Sequence, residues 1–349
     1  MYLPLNKNIT GFVFIASLFF ACKQNDTPKQ VNTYPTPYEI SVPPGFPKPE
    51  LSSINPLTVE GIQLGKMLYS DSILSTNGRS CTSCHLAINS FSLPIFNSWS
   101  GRKFSVPAHI NLGFKKQYNW EGSQECLDTL AMDDFDQEFF NTNPEILYKK
   151  LAAHPIYPTL FNQAFGISDI SKIPFQELKR KIAYSLAQYL RSKVSVNSKF
   201  DQYRNKKALL NNLEYEGYVI FYSEKGDCFH CHSEPLYTDQ QFHNNGVSNT
   251  YVGFDLGRQN ISNKEEDKGK FFTPTLRNIE LTAPYMHDGR FKTLQEVVDF
   301  YSEGVAENQY VDPLMTKRNG TRKLNLTTLE KIQLIAFLKT LTDLDYLNK

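Results

Sequence analysis

Two short runs constrain this chain more than anything else in it: RSCTSCH at residues 79–85 and CFHCH at residues 228–232. In each, two cysteines flank two residues and a histidine follows at once. The first run supplies Cys81, Cys84 and His85, the second Cys228, Cys231 and His232. This is the spacing for covalent attachment of c-type haem. The two thiols add to the two vinyl groups of one porphyrin, and on a short helical turn the adjacent histidine lies under the iron and ligates it. A zinc site would need more Cys or His at ligand spacing nearby, and neither run has them. The chain is therefore expected to hold two covalently bound haem c groups.

The chain has 349 residues, 40% of them hydrophobic, and a net charge of +1. That composition is globular, and the length suffices for two domains plus extras. The near-zero charge leaves no basic footprint for nucleic acid. Four of the six cysteines belong to the haem runs, leaving Cys22 and Cys126; Cys126 reads as a buried structural thiol or an unmatched one. Residues 1–22 read as a targeting segment, with Lys7 before the apolar run GFVFIASLFFA, which ends at Cys22. The run is too short for a permanent membrane span. Ala21 directly before Cys22 resembles a bacterial lipobox, which implies cleavage and lipidation of the Cys22 thiol. The alternative is an ordinary signal peptide with an incidental cysteine. Either way the protein is exported, to the periplasm or cell envelope. Residues 23–55, rich in Pro, Thr, Asn and Lys, read as a flexible tether from the membrane.

Beyond the tether the apolar spacing is helical. Residues 58–69 place Ile62, Gly65, Met67 and Leu68 in one helix, with Thr58 at its start. Residues 86–123 lack periodicity and read as loops around a cofactor. Residues 143–165 read as one helix broken at Pro155 and Pro158, and residues 174–204 as one long amphipathic helix. A second set follows: a helix from Asn211, a polar surface loop at 258–270, a short helix from Thr293 stopped by Gly304, and a last amphipathic helix over 327–342. No run alternates convincingly as a strand, so the expected fold is mainly α, with two cytochrome c-type domains over residues 56–205 and 206–349.

LGKMLYSDSILSTNGRSCTSCH, at 64–85, resembles the entry to the first haem of the bacterial diheme cytochrome c peroxidase and MauG family. TPTLRNIELTAPYMHDGRFKTLQEVVDFY, at 273–301, resembles that family's signature in the second domain. The resemblance spans about residues 56–345. It implies two haems with different tasks, one meeting peroxide and one relaying electrons. His85 and His232 match the proximal iron ligands, and the His85 haem corresponds to the peroxide-reacting one. Trp120 falls where the family has a Trp between the haems, although Glu121 and Ser123 replace the usual Asp and Arg. Glu138 best matches the family's acid–base Glu over the open face of the first haem, with Asp134 and Asp136 as rivals. The Gln that relatives often carry has no clear match; Leu130 lies nearest.

The same resemblance marks two departures. No His lies between His85 and Pro107, so the first haem is expected to be open at rest; His109, in VPAHIN, resembles part of a structural segment. Counted from His287, the sixth-ligand position of the second iron is Tyr301, as in the MauG branch, with Met286 as rival. A phenolate favours the higher oxidation states and a thioether the ferrous one. Thr282 and Pro284 match a calcium-binding run, with Ser105 at the family's Asn position. Of the other histidines, His154, His230 and His243 read as surface or supporting residues, and His287 as one that orients a propionate or the domain interface. The expected activity is reduction of hydrogen peroxide by a small donor such as a cytochrome c. A MauG-like oxidase acting on a partner protein and a non-catalytic diheme electron carrier are the alternatives.

Overall fold

A computed structural model describes residues 35–98, 101, 103–317 and 319–348. The targeting segment, Cys22 and the first part of the tether thus lie outside the described residues. Residues 35–55, expected as the rest of that tether, are instead docked. Thr36 donates to the buried Glu60 carboxylate at 2.7 and 2.8 Å, Glu50 N–H donates to the Gly113 carbonyl, and Phe46 meets Phe114 edge-on with ring centroids 5.9 Å apart. Low periodicity concealed this, because the docking uses backbone and isolated apolar side chains.

Helix α1 (Val59–Ser70) starts where Thr58 caps it, its hydroxyl accepting from Gly61 N–H. Helix α2 (Leu127–Leu130) is a single turn. The expected helix over 143–165 is two, α3 (Pro144–Ala153) and α4 (Tyr157–Phe165). Pro155 sits in the gap; Pro158 lies in the first turn of α4, where the missing N–H costs nothing. The expected helix over 174–204 also divides, into α5 (Phe175–Ser192) and α6 (Lys199–Arg204). Between them the chain stays extended. There Ser195 Oγ and the Val196 and Asn197 N–H groups converge on one Asp343 carboxylate oxygen at 2.9–3.1 Å, and Ser198 then starts α6 with a reciprocal cap.

The second half holds α7 (Asn212–Phe221), α8 (Gln259–Ser262), α9 (Leu294–Asp299) and α10 (Thr328–Lys339). A π-helical turn over Phe300–Gly304 extends α9 and ends at Gly304. The chain is mainly α, as expected. Two small antiparallel ribbons depart from that reading: β1 (Leu93–Asn97) with β2 (Lys103–Val106), and β3 (Phe242–His243) with β4 (Phe271–Phe272). They are too short to show alternation.

Two large apolar cores stand out among the described residues, beside two smaller clusters. One gathers Leu64, Leu68, Leu160, Ile182 and Leu186, with Tyr346 returning into it from the C-terminus. The other gathers Phe200, Phe221, Leu334, Phe337 and Leu338. Each is built on a helix crossing, α1 on α5 and α7 on α10.

Candidate functional site

Both haem runs adopt the same local form. Cys81–Ser83 and Cys228–His230 are single 3₁₀ turns. The His85 N–H donates to the Cys81 carbonyl at 2.8 Å and the His232 N–H to the Cys228 carbonyl at 2.9 Å. Each imidazole is then held by a backbone carbonyl: His85 Nδ1 lies 2.9 Å from the Phe91 carbonyl and His232 Nδ1 3.0 Å from the Tyr237 carbonyl. A carbonyl only accepts, so Nδ1 carries the proton and Nε2 keeps its lone pair for a metal. Burial pushes His85 down to about 4 and lowers His232 as well, which keeps both rings neutral, the form that ligates. Burial pushes the Cys228 thiol up to about 12 and raises Cys81 and Cys84 as well.

Each run opens on a cavity. The first is lined by Cys81, Cys84, His85, Trp120, Asp134 and Glu138. The second is lined by Cys228, Cys231, His232, Trp120, Met286 and Tyr301. A neutral histidine, two thiols and largely apolar walls make a donor set suited to covalent haem in both. Trp120 is half-buried and lines both cavities; its Nε1–H donates to the Ser105 carbonyl at 2.6 Å.

Of the three acidic candidates, Glu138 and Asp134 reach the first cavity, whereas Asp136 is exposed and does not line it. Burial, then Asp133 and Asp136, push the Asp134 carboxyl up to about 7. Leu130 also lines this cavity. Arg79, which the sequence did not single out, lines it as well and donates to the Glu138 carbonyl at 2.8 Å.

Tyr301 and Met286 meet in the second cavity through a residue that no motif announced. Asn245 Nδ2 donates to Tyr301 Oη at 3.0 Å and lies 3.5 Å from Met286 Sδ. Burial pushes the Tyr301 phenol up to about 12, while the Asn245 donor pulls it down. Thr282 and Pro284 line the same cavity. Ser105 brings no side-chain carbonyl to a calcium site, and its backbone carbonyl already accepts from Trp120.

The other histidines have partners. His230 pairs with Asp227 at 2.6 Å. His243 bridges Asp239 and Asp312, each at 2.7 Å. His287 pairs with Asp255 and stacks on Phe271 with ring centroids 3.7 Å apart. His154 accepts from two backbone N–H groups at the start of α4. His109 is more than part of a structural run: its ring lies flat on His85. Cys126 is exposed, which removes the reading as a buried thiol.

The family model for di-haem cytochrome c peroxidase matches residues 59–208. The chain is 30% identical to the cytochrome-c peroxidase IdrP2 of Denitromonas iodatirespirans over 80% of its own length and 81% of the relative's. It is 31% identical to the cytochrome c551 peroxidase of Nitrosomonas europaea, over 84% and 83%. Among solved structures, it is similar to a MauG-like protein associated with microbial copper homeostasis, with a TM-score of 0.78 and 30% identity over 89% of this chain and 97% of the other.

Proposed function

The chain belongs to the di-haem cytochrome c peroxidase family, and we propose that it reduces hydrogen peroxide at the His85 site with electrons from a small donor such as a cytochrome c. The observation that carries this is the pair of cavities, each with two thiols and an oriented neutral histidine, sharing Trp120 on their walls. When bound, the haems supply the iron that meets peroxide and the route by which electrons arrive. The protein's own part is proton handling and positioning. Splitting the oxygen–oxygen bond requires a proton moved from one oxygen to the other. Glu138 is the carboxylate assigned to that transfer, with Asp134 as the second carboxyl in the same cavity. Arg79 fixes the backbone at Glu138. Trp120, with its N–H anchored, fills the wall shared by the two cavities and is assigned to electron delivery from the His232 side. Tyr301, whose hydroxyl accepts from Asn245, is the residue that with His232 would hold the second iron.

The domain boundary near residue 205 rests on the sequence pattern; the cores cross it, with Phe200 in the second and Tyr346 in the first. The lipid anchor at Cys22 and residence in the periplasm or cell envelope rest on the sequence pattern. Calcium at Thr282 and Pro284 would depend on backbone carbonyls and water alone. A MauG-like oxidase of a partner protein is the second reading, favoured by Tyr301 having a built hydrogen-bond donor. Steady-state turnover of peroxide with a reduced cytochrome c decides between them: turnover supports the peroxidase. Its absence, with peroxide still oxidising the haems, supports the oxidase.

A further inference from the structure

Beside His85 lies a group of buried and half-buried side chains that the proton transfer above does not use. The His109 ring stacks on the His85 ring, with centroids 3.4 Å apart and planes within 19°. Its Nδ1 lies 3.1 Å from the Tyr69 hydroxyl. Tyr69 is 2% exposed and meets the Tyr189 ring edge-on at 5.3 Å. The arrangement is fixed by backbone: the Phe91 carbonyl that receives His85 Nδ1 also receives the His109 N–H at 3.1 Å, and the Tyr346 hydroxyl donates to the His109 carbonyl. The His85 imidazole and the His109 backbone N–H are thus tied to one oxygen atom.

We propose that Tyr69, hydrogen-bonded to His109, is a redox-active tyrosine that transiently supplies one of the electrons used at the His85 site. The proposal rests on the peroxidase reading. Reducing one peroxide to two waters takes two electrons and two protons. If the donor has delivered fewer, the shortfall is met from the protein. One electron leaves the Tyr69 phenol through the stacked His109 and His85 rings. The Tyr69 O–H bond breaks, its proton passes to Nδ1 of His109, and a neutral phenoxyl radical faces an imidazolium. When the donor's electron arrives it reduces the phenoxyl, and the proton returns along the same hydrogen bond. The cycle gains and loses no atoms.

Three features favour Tyr69 for this task. Oxidising a phenol with no base beside it leaves a high-energy radical cation, and the imidazole nitrogen removes that cost. Tyr346, also buried, faces a backbone carbonyl, which is a poor proton acceptor. Burial shields a radical at Tyr69 from chance reductants.

The test uses the full haem-loaded chain, mixed with hydrogen peroxide and freeze-quenched for electron paramagnetic resonance. The wild type should give a tyrosyl signal that narrows when the protein is grown with ring-deuterated tyrosine. Tyr69→Phe should lose it while keeping the wild-type visible spectrum before peroxide, and Tyr189→Phe should retain it. A Tyr69→Phe protein that keeps the signal overturns the proposal. So does a wild type that consumes peroxide with no tyrosyl signal, and in both cases the peroxidase reading stands. A wild type whose haems do not react with peroxide overturns both.

Discussion

Glu138 and Asp134 share one cavity wall, and their substitution separates their tasks. Glu138→Gln should keep both haems and lower peroxide turnover by about 10²–10⁴-fold, the usual weight of a positioned proton carrier, in a steady-state assay. Asp134→Asn should cost far less; the reverse order would move the assignment to Asp134. Asp134 also has a signature of its own. Its carboxyl is raised from 3.8 to about 7, so its neutral form is the one the fold prefers. The stability tied to it is fully present below the ordinary carboxylate range and is lost as pH rises through about 7. Melting curves across that window should show the wild type losing stability, while Asp134→Asn lacks this loss. At the second iron, Tyr301→Phe should change the spectrum and potential of one haem only; if Met286→Leu does so instead, the thioether is the ligand. The attachment residues were legible because Cys81, Cys84 and His85 form one short run whose spacing is itself the chemistry. Asn245 and His109 were not, because each meets its partner across tens of residues of chain, 56 in the case of Asn245 and Tyr301. Trp120 and Glu138 were reached only through the family resemblance.

At the scale of elements, the two cores repeat one device. A Cβ added at Gly65 of α1 would lie 1.9 Å from the Ser185 carbonyl oxygen of α5, and one added at Gly217 of α7 would lie 1.9 Å from the Gln333 carbonyl oxygen of α10. In both crossings the carbonyl carbon follows at 2.5 Å and an aromatic Cβ, of Tyr189 or Phe337, at 2.9 Å. The helices approach so closely that only glycine fits, and the obstructing atoms are backbone, which does not swing aside. Gly65→Ala and Gly217→Ala should each destabilise by about 1–3 kcal/mol or more, as overpacking does, read as a lowered Tm with haem content checked. A change smaller than an ordinary surface substitution would mean the crossing is looser than described. Helix existence was legible from apolar spacing, and starts such as Thr58 from capping chemistry. Helix breaks were less so. The interruption after Ser192 is imposed by Asp343, about 150 residues downstream, which captures the Ser195 hydroxyl and two N–H groups in the gap. No local signal foretells that. The ribbons β1–β2 and β3–β4 escaped for the opposite reason, being too short to carry a period.

Taken whole, the molecule is two haem-binding cores with one indole on the wall of each cavity. That places the heaviest demand on Trp120. In the proposed function, electrons would enter at the His232 side and be used at the His85 side, and so would cross whatever separates the two cavities. An indole can be oxidised and can fill that wall; a phenyl ring fills most of the same space and is far harder to oxidise. Trp120→Phe also removes the N–H that the Ser105 carbonyl accepts, a loss of about 1 kcal/mol, small enough for the fold to survive. The expected outcome is a protein with two attached haems, unchanged peroxide binding, and transfer between haems slowed roughly tenfold or more, equivalent to at least about 1.4 kcal/mol of barrier. Stopped-flow spectroscopy after peroxide is mixed with half-reduced protein reads this directly, since the two haems oxidise at separable rates. If Trp120→Phe transfers electrons at the wild-type rate while Glu138→Gln still stops turnover, the route between the cavities does not pass through oxidised indole. Residues that also line both cavities, such as Tyr118 and Asn119, would then be the next positions to substitute.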